Sequence, residues 1–359
     1  MKDERTKPAG IKEIAAALRI SIGTVDRALH NRPGVNEKTR SRVLAMAKKL
    51  AYQPNLAARN LKLNRRLRIG VFLPKQISSY FDPLREGVRA AAADAHGLNL
   101  ELEFAEYPRI GKGDFELIES RKSEHYDGLI LTPGKSSQFL PHLKRLAAQE
   151  TAVVFVGSDL SGANRLASIT IDAEVSGGLA AELFSRAIQR EANVAVITGD
   201  LGTQDHAEKL RGFAATLAMV APHLSLLPTL ETHERPEEAY EAVLKLLSRK
   251  PRVAGIYANT ANSLPILRAL EERRLLDQIQ VVTTDLYPEL VPLIRSGKVL
   301  ASLYQRPYTQ GKTALETLTR YLVQHISPQT STKLAPHIIM RSNLTLFSAA
   351  LNETEEEFH

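Results

Sequence analysis

From Leu67 onward, short continuous apolar runs alternate with longer stretches of helical periodicity, and this alternation constrains the fold more than any other feature. The apolar runs fall at 68–73, 98–107, 128–131, 152–156, 168–171, 194–198, 255–257, 280–284 and 300–304. Helical patterns lie between them, for example at 83–96, 175–189, 204–219 and 236–247. A strand that is apolar throughout is covered on both faces, and strands separated by helices pair in parallel. The expected fold is therefore α/β, with doubly wound parallel sheets. Two such units in succession make a two-lobed body with a cleft between the lobes.

The residues before this body differ in charge. Residues 1–66 hold 16 Lys and Arg against 5 Asp and Glu, a balance of +11, while the remainder carries −4; the chain total of +7 conceals this split. A small basic head on a mildly acidic body suggests a nucleic-acid-binding module. A solvated basic helical arm is the alternative.

Periodicity within the head favours three helices. Ile11, Ile14, Ala15 and Leu18 lie on one helical face. Ser21 is placed to cap a second helix that turns Val25, Ala28 and Leu29 inward and leaves Thr24, Asp26, Arg27 and His30 outward. Asn31-Arg-Pro-Gly34 ends that helix, and Asn36 caps a third with Val43, Ala47 and Leu50 on one face. A helix, a tight turn, a second helix and a bracing third form the helix-turn-helix arrangement, whose second helix fits a major groove. A generic three-helix bundle has the same periodicity. The segment 52–63 is Pro-started, mostly apolar and too short to be a stable helix alone. Such a segment between a DNA reader and a large domain folds when DNA is present.

Thr24-Val25-Asp26-Arg27-Ala28-Leu29, Pro33-Gly34-Val35, Lys38-Thr39-Arg40 with Val43, and Tyr52-Gln53-Pro54-Asn55 resemble the lactose/galactose repressor (LacI/GalR) family, and the similarity extends over about residues 10–347. The resemblance implies a DNA-binding domain over 1–53, a hinge helix and linker over 54–66, and a periplasmic-binding-protein-like effector domain over 67–347. Lobe one would comprise about 67–171 and 303–333, lobe two about 172–302 and 334–347, with an acidic tail over 348–359. DNA contact is expected from Ser21, Ile22, Gly23, Thr24, Asp26, Arg27, His30 and Asn31 of the head. It is also expected from Tyr52, Asn55, Ala58, Arg59 and Leu61 of the hinge, Leu61 being the implied minor-groove wedge. Asp26 departs from the family, which usually has Ser there. A carboxylate can accept from cytosine N4 or orient Arg27, yet repels phosphate.

Ligands of doubly wound sheets bind beyond the carboxyl ends of strands. Tyr80, Phe81, Asp82, Thr132, Ser158, Asp159, Asp205 and His206 occupy such positions, and their chemistry suits a hydroxyl-rich small molecule. Read without the resemblance, Tyr80 and Phe81 are equally loop packing, His206 a helix-terminal residue, and Asn259 and Asp285 turn or cap residues. The resemblance assigns Asn259, Asp285 and Gln305 to the effector. It also places Lys209 where an effector-binding Arg is common; a lysine lacks the planar fork for adjacent hydroxyls.

Enzyme readings fit poorly. Gln310-Gly-Lys-Thr313 resembles the end of a phosphate loop, but Arg306 stands where its first Gly belongs. No G-x-G-x-x-G, H-E-x-x-H or G-x-S-x-G pattern occurs, and with no cysteine there are no disulfides or thiolate ligands. No cofactor or metal is expected. The absence of an 18-residue apolar run or a leader-like N-terminus points to a cytoplasmic protein without membrane contact. The expectation is a DNA-binding regulator, a repressor, under control of a small molecule such as a sugar. A helix-turn-helix reads one half-site, so a homodimer on a near-palindromic operator follows. The tail lacks leucine heptads, giving no coiled-coil tetramerisation segment. The alternative is a sugar-binding protein of the same fold with no sequence-specific DNA function.

Overall fold

A computed structural model of the chain describes residues 10–29, 33–50, 66–134, 136–248 and 252–347. The chain divides into two compact units, a head ending at Arg65 and a body beginning at Arg66.

In the head, α1 (Ile11–Leu18), α2 (Ile22–Leu29) and α3 (Glu37–Lys49) close on a small core of Ile14, Ala15, Val25, Ala28 and Val43. Each helix start has a local cause. Glu13 reaches back to the Gly10 amide at 2.7 Å, the Thr24 amide donates to Ser21 Oγ at 3.1 Å, and the Thr39 amide donates to Asn36 Oδ1 at 2.8 Å. Arg19 takes a left-handed conformation (φ 52°) and ends α1, so the turn into α2 needs only a few residues.

The body contains two sheets. In lobe one the order is β12-β5-β4-β3-β1-β2, from β1 (Arg66–Pro74), β2 (Asn99–Tyr107), β3 (Gly128–Leu131), β4 (Ala152–Val156), β5 (Ala167–Ile171) and β12 (Ser331–Leu334). Parallel pairs link β1 to β3, β3 to β4, β4 to β5 and β5 to β12. In lobe two the order is β13-β11-β10-β9-β6-β7, from β6 (Ala192–Thr198), β7 (Leu224–Leu226), β9 (Val253–Asn259), β10 (Gln280–Thr284), β11 (Ala301–Tyr304) and β13 (His337–Ile339). The two-residue β8 (Leu230–Glu231) pairs with β6, and β13 is antiparallel to β11. β11 lies wholly in lobe two, so the chain crosses between lobes near Asp172, at Gln305–Arg306 and at Ala335–Pro336.

Alternation along each strand builds a core on both faces of both sheets. Ile69, Val71 and Leu73 pack beneath α4 (Ser78–Asp94) and α12 (Pro307–Gln324), while Phe72, Leu129, Leu131 and Phe155 face α5 (Asp114–Ser120) and α6 (Ser136–Ala148). In lobe two, Val194, Val196, Tyr257 and Val282 face α7 (Ala173–Ala187) and α8 (Gln204–Val220). Ala195, Ile197, Ile256 and Val281 face α9 (Pro236–Leu247), α10 (Ser263–Glu272) and α11 (Leu290–Ser296).

The same device recurs in both lobes: the helix after the first strand packs backbone to backbone against the helix that arrives from the other lobe. A Cβ on Gly87 or Gly311 would run into carbonyl oxygens of Tyr308 or Leu84, and one on Gly177 or Gly212 into those of Lys209 or Glu174. Glycine is required at these crossings because nothing larger fits.

The structure corrects the start expected for the helix at 83–96. α4 begins at Ser78, with Pro83 inside it. Proline at this sixth helical residue forgoes the bond to the Ser79 carbonyl, one turn past the positions where it is free of cost. Tyr80, Phe81 and Asp82 are consequently helical rather than loop residues. The short strands β7, β8, β12 and β13 were absent from the expected set; they are edge elements of two to four residues with little apolar pattern of their own. Among the described residues no helix is long and apolar enough to cross a membrane.

Candidate functional site: a polar cleft between the lobes

The carboxyl ends of the strands converge on a cavity of about 560 Å³, counting the solvent open at its mouth. Lobe one contributes Ile77, Tyr80, Phe81, Ile110, Thr132, Gly157 and Ser158 to its wall. Lobe two contributes Thr203, Asp205, His206, Lys209, Glu234, Thr260, Ala261, Thr284 and Asp285, and Gln305 enters from the crossover.

At its centre is a hydrogen-bonded row of buried polar side chains. Lys209, 1% exposed, donates to Asp205 Oδ2 at 2.6 Å and to Gln305 Oε1 at 2.7 Å. Gln305 passes the bond on, its Nε2 donating to Asp285 Oδ2 at 2.8 Å. Asp205 and Lys209 lie one turn apart in α8, whose crossing with Gly177 of α7 fixes the Lys209 backbone. Burial pulls the Lys209 ammonium toward neutrality, but Asp205, with help from Tyr257 and Asp285, outweighs it and holds the pKa above the ordinary lysine value. At Asp285 the balance is reversed. Burial and the neighbouring Asp205 raise its carboxyl to about 6, against the smaller opposing pull of Lys209 and Gln305.

A second polar group lies across the mouth. Glu234 accepts from His206 Nε2 at 3.1 Å, from Thr260 Oγ1 at 2.9 Å and from Asn262 Nδ2 at 3.0 Å. Burial lowers the His206 pKa, but the bond and charge of Glu234 more than reverse this, so the imidazole titrates above its ordinary value. Across the mouth, Gln76 Nε2 of lobe one donates to the Glu234 carbonyl at 2.9 Å, and Ser161 Oγ donates to Gln204 Oε1 of lobe two at 3.3 Å.

Backbone strain gathers at the same wall. Ile77 (φ 64°), Glu234 (φ 53°) and Asp285 (φ 65°) are non-glycine residues in the left-handed region, and Arg306 (φ 58°) follows Gln305. A β-branched residue there is an outlier, and strained backbone concentrates where side chains are held for function.

The expected site residues sort into three groups. Tyr80, Phe81, Thr132, Ser158, Asp205, His206, Lys209, Asp285 and Gln305 are brought together in the cavity wall. Thr132 Oγ1 is buried and without a partner among the described residues. Asn259 lies behind the wall, its Nδ2 donating to Thr198 Oγ1 at 2.9 Å and the His206 carbonyl at 3.1 Å, with its own Oδ1 unpaired. Asp82 and Asp159 are turned elsewhere. Asp82 is largely exposed and pairs with Arg85 at 2.7 Å. Asp159 is taken up by Arg165, by Ser168 Oγ at 2.8 Å and by the Leu160 amide at 2.7 Å.

Sequence reasoning missed Glu234 and Gln310. Gln310 Oε1 accepts from Tyr80 OH at 3.1 Å and the Gly157 amide at 3.0 Å, while its Nε2 donates to the Gln305 carbonyl at 2.8 Å. It braces the crossover against lobe one. A glutamine in a helical row with Gly311, Ala314, Leu315 and Leu318, all buried, was the available signal. The fragment that resembled a phosphate loop is thus interior to α12, with Lys312 paired to Asp94 at 2.6 Å.

In the head, Ser21, Ile22, Gly23 and Arg27 are exposed, while Thr24 and Asp26 are half-buried. These residues line the start and outer side of α2. His30, Asn31, Tyr52, Asn55, Ala58, Arg59 and Leu61, with the tail at 348–359, lie outside the described residues.

Comparison with known proteins agrees with both units. Residues 69–325 match the periplasmic binding protein domain, and residues 10–55 match the lacI family of bacterial regulatory proteins. The catabolite control protein A of Priestia megaterium is 25% identical over 316 residues, covering 87% of this chain and 92% of that protein. The ribose operon repressor of Bacillus subtilis is 25% identical over 315 residues, covering 86% and 90% respectively. Among solved structures, GanP, a glucose-galactose binding protein from Geobacillus stearothermophilus, superposes with a TM-score of 0.71 at 20% identity, covering 78% of this chain and 99% of that one. The chain belongs to the periplasmic binding protein domain family through its body, and its head is a DNA-binding domain of the lacI family of bacterial regulatory proteins.

Proposed function

We propose that this regulator is a homodimeric repressor whose operator affinity is set by a sugar or sugar alcohol bound in the cleft of the body. The observation that carries the ligand half is the buried row Asp205–Lys209–Gln305–Asp285 at the strand ends. It presents alternating acceptors and donors, as adjacent hydroxyls require. Thr132, Ser158, Thr203 and Thr284 add hydroxyls, and Phe81 and Tyr80 supply apolar surface for the C–H face of a ring. The names of a ribose operon repressor and of a glucose-galactose binding protein among the similar proteins support the same ligand class.

In this reading the body binds its ligand and performs no chemistry on it, and no cofactor is used. A ligand touching both walls favours one arrangement of the lobes, which are joined by three chain crossings. The hinge, expected over 54–66 with Leu61 as its wedge, leads directly into β1 of lobe one. The lobe arrangement of a dimer thereby sets the spacing of its two hinges, and α2 of each head reads one half-site about 34–36 Å from the other. The work is done on DNA, in the cytoplasm.

The test is selection of genomic fragments by the full chain at about 150 mM salt, where phosphate-only binding is weak. A recovered near-palindrome with a central pyrimidine–purine step supports the proposal. No common motif, with or without a mixture of free sugars, refutes it and favours a sugar-binding protein whose head reads no sequence.

A further inference from the structure

We infer that the cleft is built for a polyol without negative charge, a free sugar or sugar alcohol rather than a phosphorylated sugar or a sugar acid. This rests on the reading of the cleft as a polyol site and narrows it.

Charge and the pairing of the cleft's bases distinguish these ligands. Among the described residues the wall holds three carboxylates, Asp205, Glu234 and Asp285, and two bases, Lys209 and His206; no arginine lines it. Each base already faces a carboxylate: Lys209 Nζ is 2.6 Å from Asp205 Oδ2, and His206 Nε2 is 3.1 Å from Glu234 Oε1. Asp285 is left with neutral donors, Gln305 Nε2 at 2.8 Å and the Gln305 amide at 3.4 Å. The wall thus carries at least one excess negative charge, one with His206 protonated and two with it neutral, and burial raises the Asp285 carboxyl to about 6 against the weaker opposing pull of Lys209 and Gln305.

The backbone amides of the loop before α8 do not make up the deficit. A phosphate at a helix N-terminus is held by free N–H groups. In the loop leading into α8, the Asp200 amide donates to His206 Nδ1 at 3.1 Å, the Leu201 amide to Glu231 Oε1 at 2.8 Å and the Gly202 amide to Asp200 Oδ1 at 2.7 Å. Asp205 then occupies the first turn of that helix. The amides of that loop are spent on the chain's own groups, and the Asp205 carboxylate offsets the positive end of α8, where Thr203 makes no side-chain cap. What stays available, beside one N–H of the paired Lys209, is hydroxyl and carboxylate oxygen: the unpartnered Thr132 hydroxyl, the Ser158 hydroxyl and the carboxylates. Sugar hydroxyls can donate to these groups. Phosphate and carboxylate cannot, and they meet Asp285 as a like charge.

The experiment is calorimetric titration of the full chain with matched sets: ribose and ribose 5-phosphate, glucose with glucose 6-phosphate and glucuronate, galactose and galacturonate, and myo-inositol. The expected result is binding of at least one uncharged compound, with its anionic counterpart weaker by about a hundredfold or more, the scale of one like charge at about 5 Å in a partly dry site. In Asp285→Asn the ratio between parent and anion narrows, whatever happens to either affinity. An anion binding as tightly as its parent, or a ratio unmoved by Asp285→Asn, overturns the inference and leaves the polyol reading standing. Failure of every compound to bind overturns both.

Discussion

Replacing Asp285 with asparagine separates the cost of holding the site from its use. The carboxyl is 3% exposed and its pKa is raised to about 6 from an ordinary 3.8, chiefly by burial. A raised acid pKa means that the folded body prefers the protonated form. Asp285 therefore costs nothing well below pH 4, costs progressively more as pH rises from about 4 to 6, and carries its full penalty above that. A shift of about two units corresponds to roughly 3 kcal/mol. Asparagine retains an acceptor for Gln305 and tolerates the left-handed backbone at this position (φ 65°), so the exchange adds little strain. At pH 7.5 the variant should be more stable than wild type by about 2–3 kcal/mol, a rise in Tm of roughly 3–5 °C for a body of this size. The gain should shrink toward zero at pH 4. Thermal unfolding of both proteins across pH 4–8 measures this. Loss of stability at pH 7.5, or a difference independent of pH, would refute the reasoning and make Asp285 a structural ion-pair partner.

Other substitutions test separate parts. Thr132→Val removes a buried hydroxyl with no protein partner; thermal unfolding should be unchanged within about 1 kcal/mol or improved, while calorimetry shows weakened ligand binding. Lys209→Met leaves Asp205 and Gln305 without their donor in a buried site, and denaturant unfolding should show a loss of about 3–5 kcal/mol. Ile14→Ala, at a fully buried position of the head, should cost about 2–5 kcal/mol there and abolish specific DNA binding, with calorimetric ligand binding retained. Leu61→Ala should weaken operator binding in an anisotropy titration and leave ligand affinity intact; unchanged operator affinity would sink the wedge assignment.

Much of the fold was legible because alternation at two periods is a strong local signal. Runs such as Gly128–Leu131 and Ala152–Val156 are buried at every position, as their composition demanded. The head was equally legible, since Ser21 and Asn36 cap helices by local bonds that the sequence displays directly. Edge strands were not, because β8 spans two residues and is defined by its neighbour rather than by its own pattern. The start of α4 was misplaced because proline was taken as a helix start, when it lies inside one.

At the site, residues just beyond strands could be named from topology, but their orientation could not. Asp159 and Asp205 follow strands with similar promise, yet Arg165 and Ser168 capture the first while α8 aims the second into the cleft. Glu234 sits in a loop whose two left-handed residues, His233 and Glu234, are set by tertiary packing. No sequence signal marks it.

The central claim is that ligand in the cleft and operator on the heads are coupled. The direct measurement is anisotropy titration of a selected operator with the full chain, repeated at saturating concentration of a bound sugar, together with calorimetric titration of that sugar onto the chain with and without operator. Sugar should change operator affinity by about 5–150-fold, and operator should change sugar affinity by the same factor, because coupling between two sites is reciprocal. Operator affinity indifferent to a sugar that demonstrably binds would contradict it.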